Sequence, residues 1–306
     1  MSFAILKKLG AVAAILAIAW LIYVYRQVPH DKTPFAKMAD QADQIILEQG
    51  TRRLTFHRES GVWKVGTSTG PFYAADIEVV KPLISGMKNL QIEDEISERS
   101  DRAGDYDLTP ELGYRVRLLN AQGGVLAEGI FGKQAPDYGH VYFRYPDKPE
   151  VYLARGVVRG DLGRLEQNIW RSRQLIDIPE TKIENIVIEG KGFKSDLVRV
   201  STDVWMLNGQ PADPAPVNAL IGILAHLKAN EFIDPAVNPT LTYESLTEAY
   251  VGIKGADRSA EIRFGAPDAK SKRYPISVGK ESGLAWLSED VAKAILKRPS
   301  NFTLKK

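Results

Sequence analysis

The sequence contains one pattern twice, and this repetition constrains the fold more than any other feature. ADPAPVNALIGILAHL at residues 212–227 has the same build as AADIEVVKPLISGMKNL at residues 74–90. Asp76 and Asp213, which open the two patterns, are 137 positions apart. At that offset apolar residues coincide at i, i+3, i+4, i+7 and i+10. This spacing predicts one buried face of an amphipathic helix in each copy.

The residues at the start of each pattern predict where the helices begin. Asp213 fits the N-cap position and Pro214 the first helical position, where a missing N–H does no harm. Asp76 is predicted to cap the first helix in the same way. Pro82, at the sixth helical position, removes an interior hydrogen bond, so we expect the first helix to be bent or to start late.

The correspondence extends to strands and aromatic residues outside the helices. Tryptophans close a short alternating segment in GVWKV and DVWML, and tyrosines recur 137 positions apart in YDLTPE and YESLTE. An ordered series of strand, tryptophan, helix, tyrosine and strand indicates a tandem duplication. The residues that mark the repeat are Trp63, Asp76, Tyr106, Trp205, Asp213 and Tyr243.

Each copy is predicted to be an α+β module, namely a mostly antiparallel sheet with a packed helix. The alternating segments are joined by hairpin turns such as NAQGG at 120–124. The modules are assigned to 44–178 and 179–306, with a charged junction near 171–182 and a polar tether over 29–43. The predicted fold class is therefore α+β, with an N-terminal transmembrane helix followed by two homologous modules.

The N-terminus carries the apolar run that predicts this transmembrane helix. Seventeen uncharged residues separate Lys8 from Arg26, and as a helix they would extend about 26 Å, close to the thickness of the hydrocarbon layer. Residues 1–28 are thus predicted to hold a cytoplasmic tip and an anchor that contacts the lipid bilayer through residues 9–25. The anchor residues are Leu9, Ile15, Leu16, Trp20, Tyr23 and Tyr25.

The charges that flank the run predict orientation and location. Lys7 and Lys8 precede it, which favours a cytoplasmic N-terminus, single-pass insertion in a bacterial inner membrane and a periplasmic bulk. A signal peptide cleaved after Ala19 is the alternative, but the mature chain would then begin with the apolar stretch WLIYVY.

Composition removes several classes of function. The chain has 40 basic and 38 acidic residues, a balance that predicts no nucleic-acid partner. Cysteine is absent, which excludes disulfides, thiolate catalysis and thiolate-bound metals. No G-x-S-x-G, phosphate-loop or dinucleotide motif occurs, and no histidine pair has the spacing of a zinc motif. We therefore predict no catalytic residue, metal or cofactor.

Two segments leave room for a functional surface. The acidic passage 93–111 is interpreted as a solvated loop, with a cation site or a pair of hydrolytic carboxylates as alternatives. The aromatic stretch YGHVYFRYPDKPEVY at 138–152 is interpreted as a hairpin core, since half of an alternating strand faces inward. An exposed subset would bind a sugar or a peptide. The candidates for that subset are Tyr138, Tyr142, Arg144 and Tyr145.

The repeat markers resemble the bacterial family called domain of unknown function 4340. The shared features are the strand-closing tryptophans, the Ala-Asp pairs that open the helices, and the tyrosine motifs, which are similar to a Tyr-Gly-Leu motif of the family. Asp107 and Glu244 stand here where that motif has glycine, and Ser245 stands opposite Leu108. The likeness covers nearly all of residues 44–304.

The resemblance implies a single-span, periplasm-facing protein without established catalytic residues. Some members are similar to auxiliary components of ABC-type transport systems of the gliding-motility kind. We therefore expect a membrane-tethered accessory or scaffold subunit that contacts a permease and ATPase complex. The alternatives are a module that binds envelope polysaccharide or peptidoglycan and, third, an envelope hydrolase.

Overall fold

The computed structural model describes residues 14–18, 20, 32–68 and 70–304. Within these ranges no helix is long and apolar enough to cross a membrane. This finding contradicts the N-terminal transmembrane helix of the predicted fold class. Of the predicted anchor only residues 14–18 and 20 are described, and they are helical. A span needs about 20 consecutive apolar residues. The remainder of 9–25, with Leu9, Tyr23 and Tyr25, lies outside the described residues.

The described chain is α+β and contains two nine-stranded antiparallel sheets. The strand order of the first sheet is β4-β3-β2-β1-β6-β7-β8-β9-β5. Its strands are β1 (Gln44–Gln49), β2 (Arg52–Glu59), β3 (Val62–Thr67), β4 (Tyr73–Ala74), β5 (Gln91–Ser97), β6 (Tyr114–Leu119), β7 (Val125–Gln134), β8 (Val141–Arg144) and β9 (Val151–Arg155).

The second sheet repeats this order strand for strand. Its order is β13-β12-β11-β10-β15-β16-β17-β18-β14, which is the first order with nine added to each number. Such agreement is what a tandem duplication would produce. The strands are β10 (Ile183–Gly190), β11 (Phe193–Ser201), β12 (Val204–Leu207), β13 (Gln210–Pro211), β14 (Glu231–Phe232), β15 (Ala249–Gly255), β16 (Ser259–Phe264), β17 (Tyr274–Val278) and β18 (Ala285–Leu287).

Each sheet is accompanied by one twelve-residue helix and by shorter ones. The α-helices are α1 (Pro34–Met38), α2 (Ile77–Lys88), α3 (Arg159–Leu162), α4 (Gln167–Trp170), α5 (Pro214–Ala225) and α6 (Glu289–Ile295). Turns of 3₁₀ helix cover Ala39–Gln41, Ser100–Tyr106, Glu180–Lys182, Tyr243–Ser245 and Pro299–Asn301.

Helices α2 and α5 are the two predicted from the repeat. In α5 the Oδ1 atom of Asp213 accepts a hydrogen bond from the Ala215 N–H at 3.0 Å, which confirms the predicted N-cap. Asp76 accepts in the same way from Glu78, also at 3.0 Å. Pro82 lies inside α2, which nevertheless begins at Ile77, so the predicted late start is wrong. The paired apolar positions of both helices are buried or half-buried.

The described residues within 1–43 and 83–163 form one compact unit, and those within 44–82 and 164–306 form the other. In the first unit Phe35 of α1 is fully buried and packs edge-on against Phe131, with ring centroids 5.8 Å apart. The segment 29–43, predicted as a tether, therefore contributes a core residue within its described part. On another face of this unit, Leu108, Ile130 and Val151 form a small cluster.

The core of the second unit lies between the second sheet and helix α5. Its strands contribute Ile186, Ile188, Val251 and Ile262, while Val217, Leu220 and Leu224 project from the helix. Trp205 is only 1 % exposed, so this repeat marker is part of the core.

Arg171, at the start of the predicted junction, is buried rather than exposed. Its guanidinium carbon lies 3.5 Å from the ring centroids of both Tyr73 and Phe232. Nη2 donates to the Ser282 carbonyl at 2.8 Å. Burial lowers the pKa of Arg171 to about 10, so the group stays charged at neutral pH.

Candidate binding groove on the second sheet

The face of the second sheet opposite its core contains an open groove of about 610 Å³. It crosses β10, β15 and β16, whose residues alternate between core and groove because side chains alternate along a strand. Its lining residues are Asn185, Val187, Tyr250, Gly252, Ile253, Lys254, Gly255, Asp257, Arg258, Ser259, Ala260 and Glu261.

Gly252 forms the floor of the groove. It lies opposite Val187 of β10 and Glu261 of β16 in the two ladders. The Tyr250 side chain extends over it, since a Cβ atom on Gly252 would come within 2.9 Å of the Tyr250 hydroxyl. Glycine at this position thus lets an aromatic ring lie on the bare backbone of the sheet.

The first sheet has an arginine at the matching position. Gly252 lies opposite Glu261, and Arg117 of β6 lies opposite Glu128 of β7. The two pairs occupy equivalent places because the strand orders agree and β6 and β7 correspond to β15 and β16. The groove in the second sheet therefore coincides with the loss of a long side chain from one ladder position.

The neighbouring positions also differ between the two sheets. In the first sheet Arg115 forms an ion pair with Glu128 through its Nε atom. In the second sheet Tyr250 occupies the place of Arg115, and the negative charge of Glu261 is close enough to raise the pKa of Tyr250. A permanent cation in one sheet is thus replaced by a neutral aromatic ring in the other.

The environment keeps the Tyr250 phenol protonated. Burial raises its pKa first, and the nearby negative charges of Glu261 and Glu189 raise it further. At neutral pH the groove therefore presents an aromatic ring beside a carboxylate, a combination suited to binding.

The charged residues that line the groove are Lys254, Asp257, Arg258 and Glu261, two of each sign. Ion pairs near the groove are Arg258 Nη1–Asp177 Oδ2 at 2.7 Å, Lys191 Nζ–Glu248 Oε2 at 2.8 Å and Lys194 Nζ–Glu189 Oε1 at 2.6 Å. Glu189 also raises the pKa of Lys194 through the hydrogen bond between them. The rim is therefore polar, with balanced charges.

A second aromatic residue lies beside the groove. Tyr243, one of the repeat markers, stands under the guanidinium of Arg263, whose carbon is 4.6 Å from the ring centroid. Arg263 is opposite Tyr250 in the ladder, so both rings adjoin one arginine. Sequence reasoning identified Tyr243 but missed Tyr250 and Gly252. Comparing YRVRLL at 114–119 with AYVGIK at 249–254 would have exposed the change from arginine to glycine.

The four candidates from the stretch 138–152, which was interpreted as a hairpin core with an exposed subset, differ in burial. Tyr138 is 84 % exposed in a turn with φ of 58°. Tyr142 packs on Tyr106 with centroids 4.6 Å apart, and Tyr145 packs on Phe143 at 5.1 Å. Both tyrosines and Arg144 are half-buried. Ring packing within the sheet explains this outcome, because strand alternation directs Tyr142 and Phe143 to opposite faces.

A cluster around His140 also escaped the sequence analysis. His140 Nδ1 lies 2.6 Å from Asp137 Oδ2, and Nε2 lies 3.1 Å from Glu93 Oε2. Glu93 Oε1 in turn lies 2.7 Å from Arg155 Nε. The hydrogen bond to Asp137 is the main reason that the pKa of His140 is raised. Glu93 is 47 residues away in sequence, so only the sheet brings it to the histidine.

The acidic passage 93–111 is more ordered than the predicted loop. Part of it belongs to β5 and part to the 3₁₀ helix Ser100–Tyr106. Asp101 is paired with Arg99 at 2.6 Å, and this hydrogen bond lowers the Asp101 pKa. A general acid needs a raised pKa instead. Among the residues described, no group of three or more carboxylates and histidines is arranged to hold a metal ion.

The motif Tyr106-Asp107-Leu108 has a geometry that accounts for glycine in its family counterpart. Asp107 adopts the left-handed conformation with φ of 56°, which glycine favours and aspartate tolerates. Its carboxylate accepts a hydrogen bond from Arg159 Nη1 at 3.0 Å. In the second copy the buried leucine is Leu246, one place later than Ser245, so the apolar position is shifted rather than lost.

Comparison with known proteins identifies a family but no individual relative. No curated protein and no solved structure matches the chain. The model of one family, described as a domain of unknown function (DUF4340), matches residues 63–248, which is more than half of the chain. The matched region begins at Trp63 and contains both helices α2 and α5. The chain therefore belongs to the DUF4340 family.

Proposed function

We propose that this protein is a non-enzymatic binding protein that acts as an accessory subunit of an ABC-type transport complex. The groove above Gly252 is the observation that carries the binding function. The accessory role is supported by the family, since some members are similar to auxiliary components of such systems. The proposed partners are the permease and ATPase of that complex.

The nature of the polar groups favours binding over hydrolysis. Three acidic residues near the groove, Asp177, Glu189 and Glu248, are paired with arginine or lysine. In the passage 93–111 the hydrogen bond from Arg99 lowers the pKa of Asp101. The general acid of a glycoside hydrolase needs a raised pKa instead.

Co-purification tests the accessory role. The full chain, tagged at its C-terminus, would be expressed in its native bacterial host and recovered from mildly solubilised membranes. We expect an ABC permease and its ATPase to be recovered with it and identified by mass spectrometry. Recovery of the free chain alone would contradict the role. Fractionation of the same cells tests the predicted inner-membrane, periplasm-facing location. We propose that the chain's presence at this location depends on its transport partner.

A pair of glycine variants separates the groove from the complex. Gly252→Arg places in the second sheet the residue found at the matching position of the first. Gly160→Arg is the matched control, because Gly160 is exposed and a Cβ atom there meets nothing closer than 4.0 Å. If the groove holds a ligand rather than the transporter, both variants retain the permease and ATPase. Loss with Gly252→Arg alone would mean that the transporter itself occupies the groove.

A further inference from the structure

The groove cannot capture a peptide by adding a strand. β10 is paired with β11 and β15, and β15 is paired with β10 and β16. The main-chain groups under the groove are therefore used within the sheet, whereas strand addition requires an unpaired edge. A ligand must be recognised by side chains alone.

The charges around the groove favour a ligand without net charge. Two basic residues, Lys254 and Arg258, and two acidic residues, Asp257 and Glu261, line the groove, so it has no excess of either charge. A phosphorylated or strongly charged polymer would meet side chains of its own sign as well as of the opposite sign. A neutral ligand rich in hydroxyl groups would meet no such repulsion.

The floor of the groove combines a flat apolar surface with hydrogen-bonding groups at its border. Tyr250 lies over Gly252, and Glu261 lines the same groove. Arg263, opposite Tyr250 in the ladder, lines the adjoining pocket together with Tyr250 and carries guanidinium N–H donors. The C–H face of a sugar ring packs on an aromatic ring, and its hydroxyls bind carboxylates and guanidinium groups in the ring plane. A carbohydrate therefore matches both features at once.

We propose that the groove above Gly252 binds a neutral oligosaccharide, with sugar packed on Tyr250 and its hydroxyls bonded to Glu261 and Arg263. This inference rests on the proposed function, because it names the ligand class of the same groove. The first sheet serves as an internal comparison: Arg115 and Arg117 occupy the places of Tyr250 and Gly252, so we infer no such site there.

Isothermal titration of the purified full chain tests the proposal. The probes are the neutral oligosaccharides chitohexaose, cellohexaose and maltohexaose, with heparin hexasaccharide and a lysine-rich peptide as charged comparisons. We expect at least one neutral probe to bind and the charged probes to bind at least tenfold more weakly. Absence of binding by all three neutral probes, or tighter binding of a charged probe, would overturn the proposal.

Variants locate the site. Tyr250→Ala and Gly252→Arg should each weaken oligosaccharide binding at least tenfold, while Gly160→Arg and Tyr138→Ala leave it unchanged. Tyr250→Phe keeps the ring and should lose less affinity than Tyr250→Ala, a difference that simple misfolding would not produce. Unchanged binding by Gly252→Arg would refute the site. The titration uses no transporter, so its failure is distinct from a failed co-purification.

Discussion

The two sheets share one strand order but differ in the face presented by corresponding strands. On the first sheet, Arg115 and Arg117 stand opposite Ile130 and Glu128. On the second sheet the same places hold Tyr250 and Gly252. The ladder is unaffected, because backbone hydrogen bonds do not depend on the side chain. A duplicated fold can thus acquire a groove in one copy by losing side-chain volume, without changing its topology.

The hairpins β7–β8 and β16–β17 show a similar divergence. Each contains Ala-Pro-Asp, at 135–137 and at 266–268, and the aspartate accepts backbone N–H bonds within its turn. In the first hairpin His140 lies beside Glu93 of β5, whereas in the second Arg273 lies beside Glu231 of β14 at 2.7 Å. Only the first of these cation–carboxylate contacts can titrate near neutral pH.

The largest expected effect tests whether the two tryptophans are equivalent core anchors. Trp205→Ala should lower the free energy of unfolding by about 3–5 kcal/mol, because the ring is 1 % exposed and its removal leaves a cavity. Trp63 is 9 % exposed, so Trp63→Ala should lower the free energy of unfolding by a smaller amount. Urea unfolding followed by circular dichroism measures both. A larger loss of unfolding free energy for Trp63→Ala than for Trp205→Ala would show that the two tryptophans are not equivalent core anchors.

The next effect concerns Pro82, which lies beyond the first turn of α2. Pro82 is exposed and lacks the N–H that α2 needs at that position, so Pro82→Ala should raise the free energy of unfolding by about 2 kcal/mol. Ala219 is the matching residue of α5, and Ala219→Pro should lower the free energy of unfolding by about 3 kcal/mol. Urea midpoints compare the two variants. Destabilisation by Pro82→Ala would show that the proline is required for the packing of α2.

The helix caps should give equal, smaller effects. Asp76→Ala and Asp213→Ala each remove an acceptor 3.0 Å from a backbone nitrogen. Each substitution should lower the free energy of unfolding by about 1 kcal/mol. Thermal unfolding of both variants beside the wild type provides the measurement. If only one substitution destabilised the protein, the helices would not depend on their aspartates in the same way.

The smallest effect is a pH dependence confined to the first hairpin. Because Asp137 raises the pKa of His140, this contact stabilises the fold fully below the usual histidine pKa of about 6.5, and that contribution is lost as pH rises through the raised value. The Asp137 pKa is lowered, so its own contribution is lost as the pH falls through that lowered value.

His140→Arg provides the control for this pH dependence. It copies Arg273 and should remove the loss of stability at high pH, because arginine stays charged. Urea midpoints at intervals between about pH 5 and pH 9 would reveal the difference. If the urea midpoint of the wild type fell no more towards pH 9 than that of His140→Arg, His140 would be excluded as the source of the pH dependence.

Most strands and both long helices are predictable from local pattern, as α2, α5 and the strands of the two halves show. The charged seven-residue strand β5 and the two-residue strand β14 are not, because charged or isolated residues hide their alternation. The aromatic stretch 138–152 illustrates another limit. YGHVYFRY identifies a strand rich in rings, but it does not say that Tyr142 packs on Tyr106, which is 36 residues away.

The sequence by itself determined the doubled arrangement of strand, tryptophan, capped helix and tyrosine, since periodicity and capping act over a few residues and leave a local trace. Only the tertiary structure decided which residues share a surface. Gly252 becomes the floor of a groove because β10, β15 and β16 are neighbours in the sheet, and His140 meets Glu93 because distant strands converge. Such proximity depends on pairing between distant segments, which no local pattern encodes.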